Sequence, residues 1–318
     1  MKSGMKVWKG LVAALVLTVM TGCLGGCSFW QVTNYVYQNG EKYTAGDRSI
    51  TEKIETIDVD YLDGDVRLVG TDAAEVSIRE TAGKELSEKQ KVHTWVDGTT
   101  LYVRFCASAK GLDLFNLKKH LEISIPKDVK LSGVKVEISS GDLNCSDFEA
   151  NDVKVSSSSG NVTGSFAAGK IKISASSGDI TLNQNGSSDE ISLSASSGQV
   201  RAEMETVGKL NVEVSSGKIF NSAKSVKECK ARSSSGSCEF RFEETPEKCD
   251  IGASSGNVTI YLPEKADVTA DFELSSGKLY YEQAFTKKGD SYVCGSGANQ
   301  LKVETSSGDV NVKLLVAE

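Results

Sequence analysis

"ISASSGDITL", residues Ile173 to Leu182, sets two serines and a glycine between runs in which apolar and polar residues alternate. Nearly the same phrase returns along most of the chain. Its glycine fixes a register: Gly141, Gly160, Gly178, Gly198, Gly217, Gly236, Gly256, Gly277 and Gly308. Successive steps are 19, 18, 20, 19, 19, 20, 21 and 31 residues, and a degenerate copy surrounds Gly64 in IDVDYLDGDVRL. Seven residues before the glycine stand Val134, Val153, Ile171, Ile191, Leu210, Cys229, Cys249, Ala270 and Leu301. Five before it stand Val136, Val155, Ile173, Leu193, Val212, Ala231, Ile251, Phe272 and Val303; two after it stand Leu143, Val162, Ile180, Val200, Ile219, Cys238, Val258, Leu279 and Val310. No column holds a charge, and the Gly64 copy conforms with Ile57, Val59 and Val66. Period-two alternation on both sides of a fixed turn is the strand signal.

Each unit therefore reads as two short strands joined by a Ser-Ser-Gly turn and linked to the next unit by a variable loop. One such unit cannot bury its apolar face, whereas stacked units share a continuous core. The expected fold is all-β: a single-stranded, β-helix-like solenoid of about ten rungs with 18–21-residue repeats and an irregular N-terminal β cap. At about 4.8 Å per rung the rod would be on the order of 45 Å long. Glycine permits a positive φ at the corner, which costs an ordinary residue about 1–2 kcal/mol. The serines are small enough to stack, and their hydroxyls can bond to turn backbone. A serine ladder is also a conceivable strip for a glycan or an ice-like lattice. That use needs flat, regular outward columns, and the outward columns here are mixed, so corner chemistry is the expected role.

Residues 72–125 break the period but still read as strands in EVSIRE, HTWVDGTTLYVRF and LEISIP, while KELSEKQ (84–90) reads as a short helix or a charged loop. The long step before Gly308 admits YYEQAFTKKGDSYVCGSGANQ, read as a hairpin leaving the rod near 281–300. The division expected is a lipoprotein signal peptide over 1–22, anchor and tether over 23–50, cap and first rungs over 51–130, and regular solenoid over 131–318. A short strand near Asn34 to Tyr37 is allowed for within the tether.

Lys2, Lys6 and Lys9 precede the apolar run Leu11 to Met20, which at ten residues is shorter than the ~20 of a membrane span. It leads into Met20-Thr21-Gly22-Cys23, with Leu24-Gly25-Gly26-Cys27 following. Both resemble the lipobox of bacterial lipoproteins. Cys23, nearer the apolar core, is the expected acylation site and Cys27 the alternative. The expected location is extracytoplasmic, held to the membrane by acyl chains worth about 0.8 kcal/mol per buried methylene.

Composition narrows the chemistry. Thirty-six basic against 43 acidic side chains argue against a nucleic-acid partner, which a basic face would serve. His93 and His120 are the only two histidines; both lie outside the regular rungs with no GxSxG nearby, and are expected at the surface or in the cap with Trp95. The residue after the turn glycine is Asp142, Asp179 or Asp309 in some rungs and Lys218 or Lys278 in others, which no calcium or catalytic column would tolerate. Scattered carboxylates such as Asp271 and Glu273 alternate with lysines. Cys106, Cys145, Cys229, Cys238, Cys249 and Cys294 show no zinc spacing. Cys229 and Cys249 share a column on successive rungs, within disulfide reach for Cα separation but with parallel Cβ vectors; buried free thiols are the alternative. No catalytic group, metal or cofactor is expected.

The Ile123 to Pro126 stretch (ISIP), then VKVEISSGDL, and the recurring SSG-[DNQK]-[ILV] resemble the bacterial putative-adhesin family of β-strand-repeat proteins, from about Ile57 to Leu315. That resemblance implies a β-solenoid exposed on the cell envelope, at times tied to stress-response operons, with adhesion as the suggested role and no catalytic residues. The functional expectation is a non-catalytic, lipid-anchored envelope protein whose rod serves adhesion or binds an unidentified protein or glycan. A carbohydrate-active β-helix enzyme and a structural spacer are the alternatives.

Overall fold

Alternation becomes two sheets that face each other across one core. The computed structural model describes residues 32–316; the leader, Cys23 and Cys27 lie outside them. In Val200–Ser216, for example, Val200, Ala202, Met204, Val207, Leu210, Val212 and Val214 are buried while the intervening side chains face outward. Strands preceding the turn glycine stack in parallel register as one sheet, Val134 on Val153 on Ile171 on Ile191. Those following it stack as the other, Leu143 on Val162 on Ile180 on Val200. Each inward Val, Ile or Leu contributes roughly 1.5–3 kcal/mol by burial. The chain is a β-solenoid.

The second corner of each central rung, expected as a variable loop, is instead continuous strand. Leu143–Ser159, Val162–Ser177, Ile180–Ser197, Val200–Ser216 and Ile219–Ser235 each run from one sheet into the next. Register shifts between Ser146 and Glu149, Phe166 and Lys170, and Gln184 and Ser187 take up the bend. Buried Phe148, Phe166 and Met204 fill that corner from inside, so the backbone ladder need not break. Where Pro246 and Pro263 remove a donor, separate strands appear, Cys238–Phe242 and Lys248–Ser255, then Val258–Leu262 and Val268–Ser276, as His120–Pro126 and Lys130–Ser140 do at Pro126.

Both ends depart from chain order. The last repeat, Asn299–Ser307 with Val310–Leu314, is wedged between the rungs of Gly256 and Gly277, so the Gly277 rung is outermost. Ser291–Cys294 then turns back antiparallel onto Val268–Ala270, pairing also with Thr286–Lys288. The insertion is thus a hairpin, but it lies across the end of the rod rather than leaving it. Phe285 and Tyr292 hold it there, packed edge-on against Phe272 and Tyr281.

At the other end Thr100–Arg104 and His120–Pro126 form a rung beyond that of Gly64. Antiparallel strands close it on both sides: His93–Asp97 on the first and Val76–Thr81 on the second. Residues 84–90 are loop and turn, with no helix. The expected tether over 23–50 is corrected for its described part. Val32–Tyr35 pairs with Ala109–Asp113, Arg48–Ile50 pairs with Val76–Thr81, and Tyr35 and Ile50 are buried. Their aromatic and branched side chains found a core to join.

Candidate binding face

The turn column has a structural role throughout. Gly141, Gly160, Gly178 and Gly217 have φ of 112, 110, 124 and 148°, and a Cβ on any of them would overlap the carbonyl oxygen of the neighbouring rung's turn glycine. Positive φ and rung spacing both demand glycine. The ladder runs through the corner, the Gly160, Gly178 and Gly198 amides donating to Ser177, Ser197 and Ser216 carbonyls at 3.1 Å. Ser157, Ser233 and Thr305, buried three residues before the glycine, donate to the carbonyls of Gly160, Gly236 and Gly308 at 3.4, 3.4 and 3.2 Å. The two serines of the phrase itself face solvent, as Ser176 and Ser177 do.

The position after the glycine, which sequence alone left without a purpose, is a second ladder. Asp65 Oδ1 accepts the Asp142 amide (3.0 Å), Asp142 Oδ1 that of Asn161 (2.8 Å), Asn161 Oδ1 that of Asp179 (3.0 Å) and Asp179 Oδ1 that of Gln199 (2.8 Å). Near the C-terminal end Asn257 Oδ1 accepts the Asp309 amide and Asp309 Oδ1 that of Lys278, each at 2.9 Å. A lysine is tolerated because only its backbone is needed.

Cys106, Cys145, Cys229, Cys238, Cys249 and Cys294 are buried free thiols. Cys229 and Cys249 lie in direct register on adjacent rungs. Contact with the Cys229 thiol, then burial, raises the Cys249 pKa; burial pushes Cys106 and Cys145 up to about 12 and Cys238 to about 11. They pack as small apolar groups.

The cap gathers the polar residues that sequence reading left loose. His93 is buried within it, while exposed His120 stands 3.1 Å from Asp65. Trp95 stacks on Tyr102 at 5.4 Å, with the Lys42 ammonium 4.8 Å over its ring. Beneath them Lys119 and Glu80, their side chains 0% and 3% exposed, pair at 2.7 Å. Lys119 also donates to the Gln90 and Phe105 carbonyls, and Tyr61 Oη donates to Glu80 at 2.9 Å. Burial lowers the lysine's pKa against the pull of Glu80. With three acceptors for its three protons, this ammonium is a satisfied structural group. At the far end Asp271 accepts from Ser291 (2.6 Å) and Glu273 pairs with Lys302 (3.3 Å), which occupies both members of that scattered pair. No cluster of three or more metal-ligating side chains occurs among the described residues.

Two outward hollows remain among the described residues: one of about 590 Å³ on the sheet before the glycine, around Arg232 and Gly252, and one of about 760 Å³ on the sheet formed by the strands after it. Register builds the larger as a grid: Arg201, Phe220 and Glu239 in one row, Glu203, Ser222 and Arg241 in the next. Glu205, Lys224 and Glu243 line its further side. Small Ser222 is the floor; half-buried Phe220 and exposed Lys224 are the walls. Arg201 pairs with Glu203 (3.2 Å), Lys224 with Glu205 (3.2 Å) and Arg241 with Glu239 (2.9 Å), while the Arg241 guanidinium lies 4.5 Å over Tyr261. Sequence reading missed it. The available signal was Phe220 itself, in an outward column where earlier rungs carry Asn144, Thr163 and Thr181.

Fold and side-chain placement define a β-solenoid whose repeated motif builds the rod and whose exposed sheet faces are free to vary. The chain belongs to the Toastrack DUF4097 family, which matches it over residues 54–313. No curated protein matches it. Similar solved structures include a "putative adhesin" from Parabacteroides merdae (14% identity, 89% of this chain and 100% of that one, TM-score 0.46). Others are a "putative adhesin" from Bacteroides fragilis (18%, 67% and 94%, 0.44) and a "putative lipid binding protein" from Parabacteroides distasonis (16%, 86% and 97%, 0.34).

Proposed function

We propose that this protein is a lipid-anchored, non-catalytic component of the cell envelope whose solenoid presents a rigid outer face to a macromolecular partner. The observation that carries this reading is the hollow around Ser222, open to solvent and built from side chains that the stacked register holds in fixed rows. The rest of the motif is consumed in making the rod: glycines by the corner, Asp and Asn by the backbone ladder, cysteines by the core. The leader from Lys2 to Cys23 supports the anchor, with Cys27 as its alternative. Acyl chains on that cysteine would hold the cap end nearer the membrane, because Val32–Tyr35 already belongs to the cap.

The test labels growing cells with an alkyne fatty acid, then shaves intact cells with protease. The reading expects label on the wild type, loss of label in Cys23→Ser or Cys27→Ser, and digestion of the rod without lysis. An unlabelled protein protected inside intact cells contradicts it.

A further inference from the structure

The hollow on the outer sheet says more about its ligand than that one exists, and the following rests on the reading of this rod as a binding surface. It carries three cations, Arg201, Lys224 and Arg241, against four carboxylates, Glu203, Glu205, Glu239 and Glu243. Signs reverse across the middle rung: Arg201 and Glu239 flank Phe220, and Glu203 and Arg241 flank Ser222. A phosphate-rich or polyanionic ligand would meet four carboxylates against three cations, and a cationic one would meet three like charges. What suits such a surface is a neutral group rich in hydroxyls, each able to accept from a guanidinium and donate to a carboxylate. Phe220 adds an apolar ring, itself only half-buried, on which the C–H face of a sugar can lie. The volume, about 760 Å³, is within the range of small-ligand sites. Ser222 is a small outward residue between larger neighbours, so a large side chain there would occupy the hollow.

We propose that the hollow bounded by Phe220, Ser222, Glu203, Arg241 and Lys224 is a binding site for a neutral saccharide, with Phe220 as the stacking platform.

The test uses the full-length chain in detergent and saturation-transfer NMR with short neutral oligomers of glucose, galactose, mannose and N-acetylglucosamine at about 1 mM. Ser222→Trp fills the hollow and Phe220→Ala removes the platform; Thr163→Ala, in the same outward row two rungs before Arg201, is the control. Circular dichroism verifies that each variant folds, and Ser222→Trp decides the matter if Phe220→Ala does not. The expected result is transfer to at least one series, insensitive to added salt, weakened at least about tenfold by Ser222→Trp and Phe220→Ala and unchanged by the control. Binding to none of the four, or equal binding by Ser222→Trp, overturns the proposal. So does a ligand that proves polyanionic and is released by salt, or a purely protein partner captured at this face. That last outcome would leave the displayed-rod reading standing, whereas an unanchored, protease-protected protein would remove that reading whatever the sugars do.

Discussion

At Gly217, as at the other corner glycines, two constraints meet. Its φ of 148° lies in the positive range, and an added Cβ would overlap the Gly198 carbonyl oxygen of the adjacent rung. Gly186 separates the two effects, with φ of 74° but nothing within 4 Å of a Cβ. Gly186→Ala should therefore cost about 1 kcal/mol through backbone conformation alone. Gly217→Ala should cost about 3 kcal/mol, because rung spacing must also yield. Lys218→Ala, exposed beside it, should stay within about 0.5 kcal/mol. Urea titration of the three variants checks the order. The buried thiols make a second residue-scale prediction. Unfolded cysteine titrates near about 8.5. In the folded chain burial holds Cys106 and Cys145 up at about 12 and Cys238 at about 11. Between those values the unfolded chain has lost protons that the folded chain keeps, so stability is full below pH about 8.5 and falls as pH rises towards 12. A Cys106→Ala, Cys145→Ala, Cys238→Ala variant should show a flatter decline of Tm over that span.

The elements at the two ends are closed by different means. In the cap, removing one member of the Lys119–Glu80 pair strands a buried charge, so Lys119→Met should cost about 3–5 kcal/mol. Adding Glu80→Gln should recover part of it, as a double-mutant cycle in urea would show. At the C-terminal end the wedge order is open to a direct check by engineered cysteines. Lys278→Cys with Asp309→Cys, on adjacent rungs and, unlike the buried Cys229 and Cys249, open to solvent, should oxidise to a disulfide under added oxidant. Asn257→Cys with Lys278→Cys should not, because two rungs span about 9.6 Å, beyond disulfide reach. The regular rungs were legible from three columns because those columns admit only apolar residues. The column three before the glycine was not, since Ser157, Ala175, Val214 and Ser233 share it and a buried serine there bonds to the turn. End order was hidden for a related reason. Every repeat carries the same register, so alternation cannot say whether the Gly277 or the Gly308 rung is outermost; the half-buried Phe272, Leu274 and Leu279 of the Gly277 rung decide it only once placed.

Taken whole, the molecule is a rod with one end sealed by antiparallel strands and the other covered only in part. The outer edges of Asp271–Ser276 and Leu279–Tyr281 pair with no further strand among the described residues. Charged Asp271, Glu273 and Lys278 stand on that edge, a common protection against strand addition. The faces between the ends carry the functional claim, and their grid could not be read in the sequence because outward columns have no fixed composition. Only the register, once established, brings Phe220, Ser222, Glu203 and Arg241 together. The most direct test of that claim places a photo-crosslinking amino acid at Glu243, exposed on the rim of the hollow, and separately at the turn residue Ser196, in the protein on its own cells. The account predicts a discrete crosslinked species, saccharide in composition, from Glu243 and none from Ser196. Equal products from both positions, or a product from Ser196 alone, would contradict it.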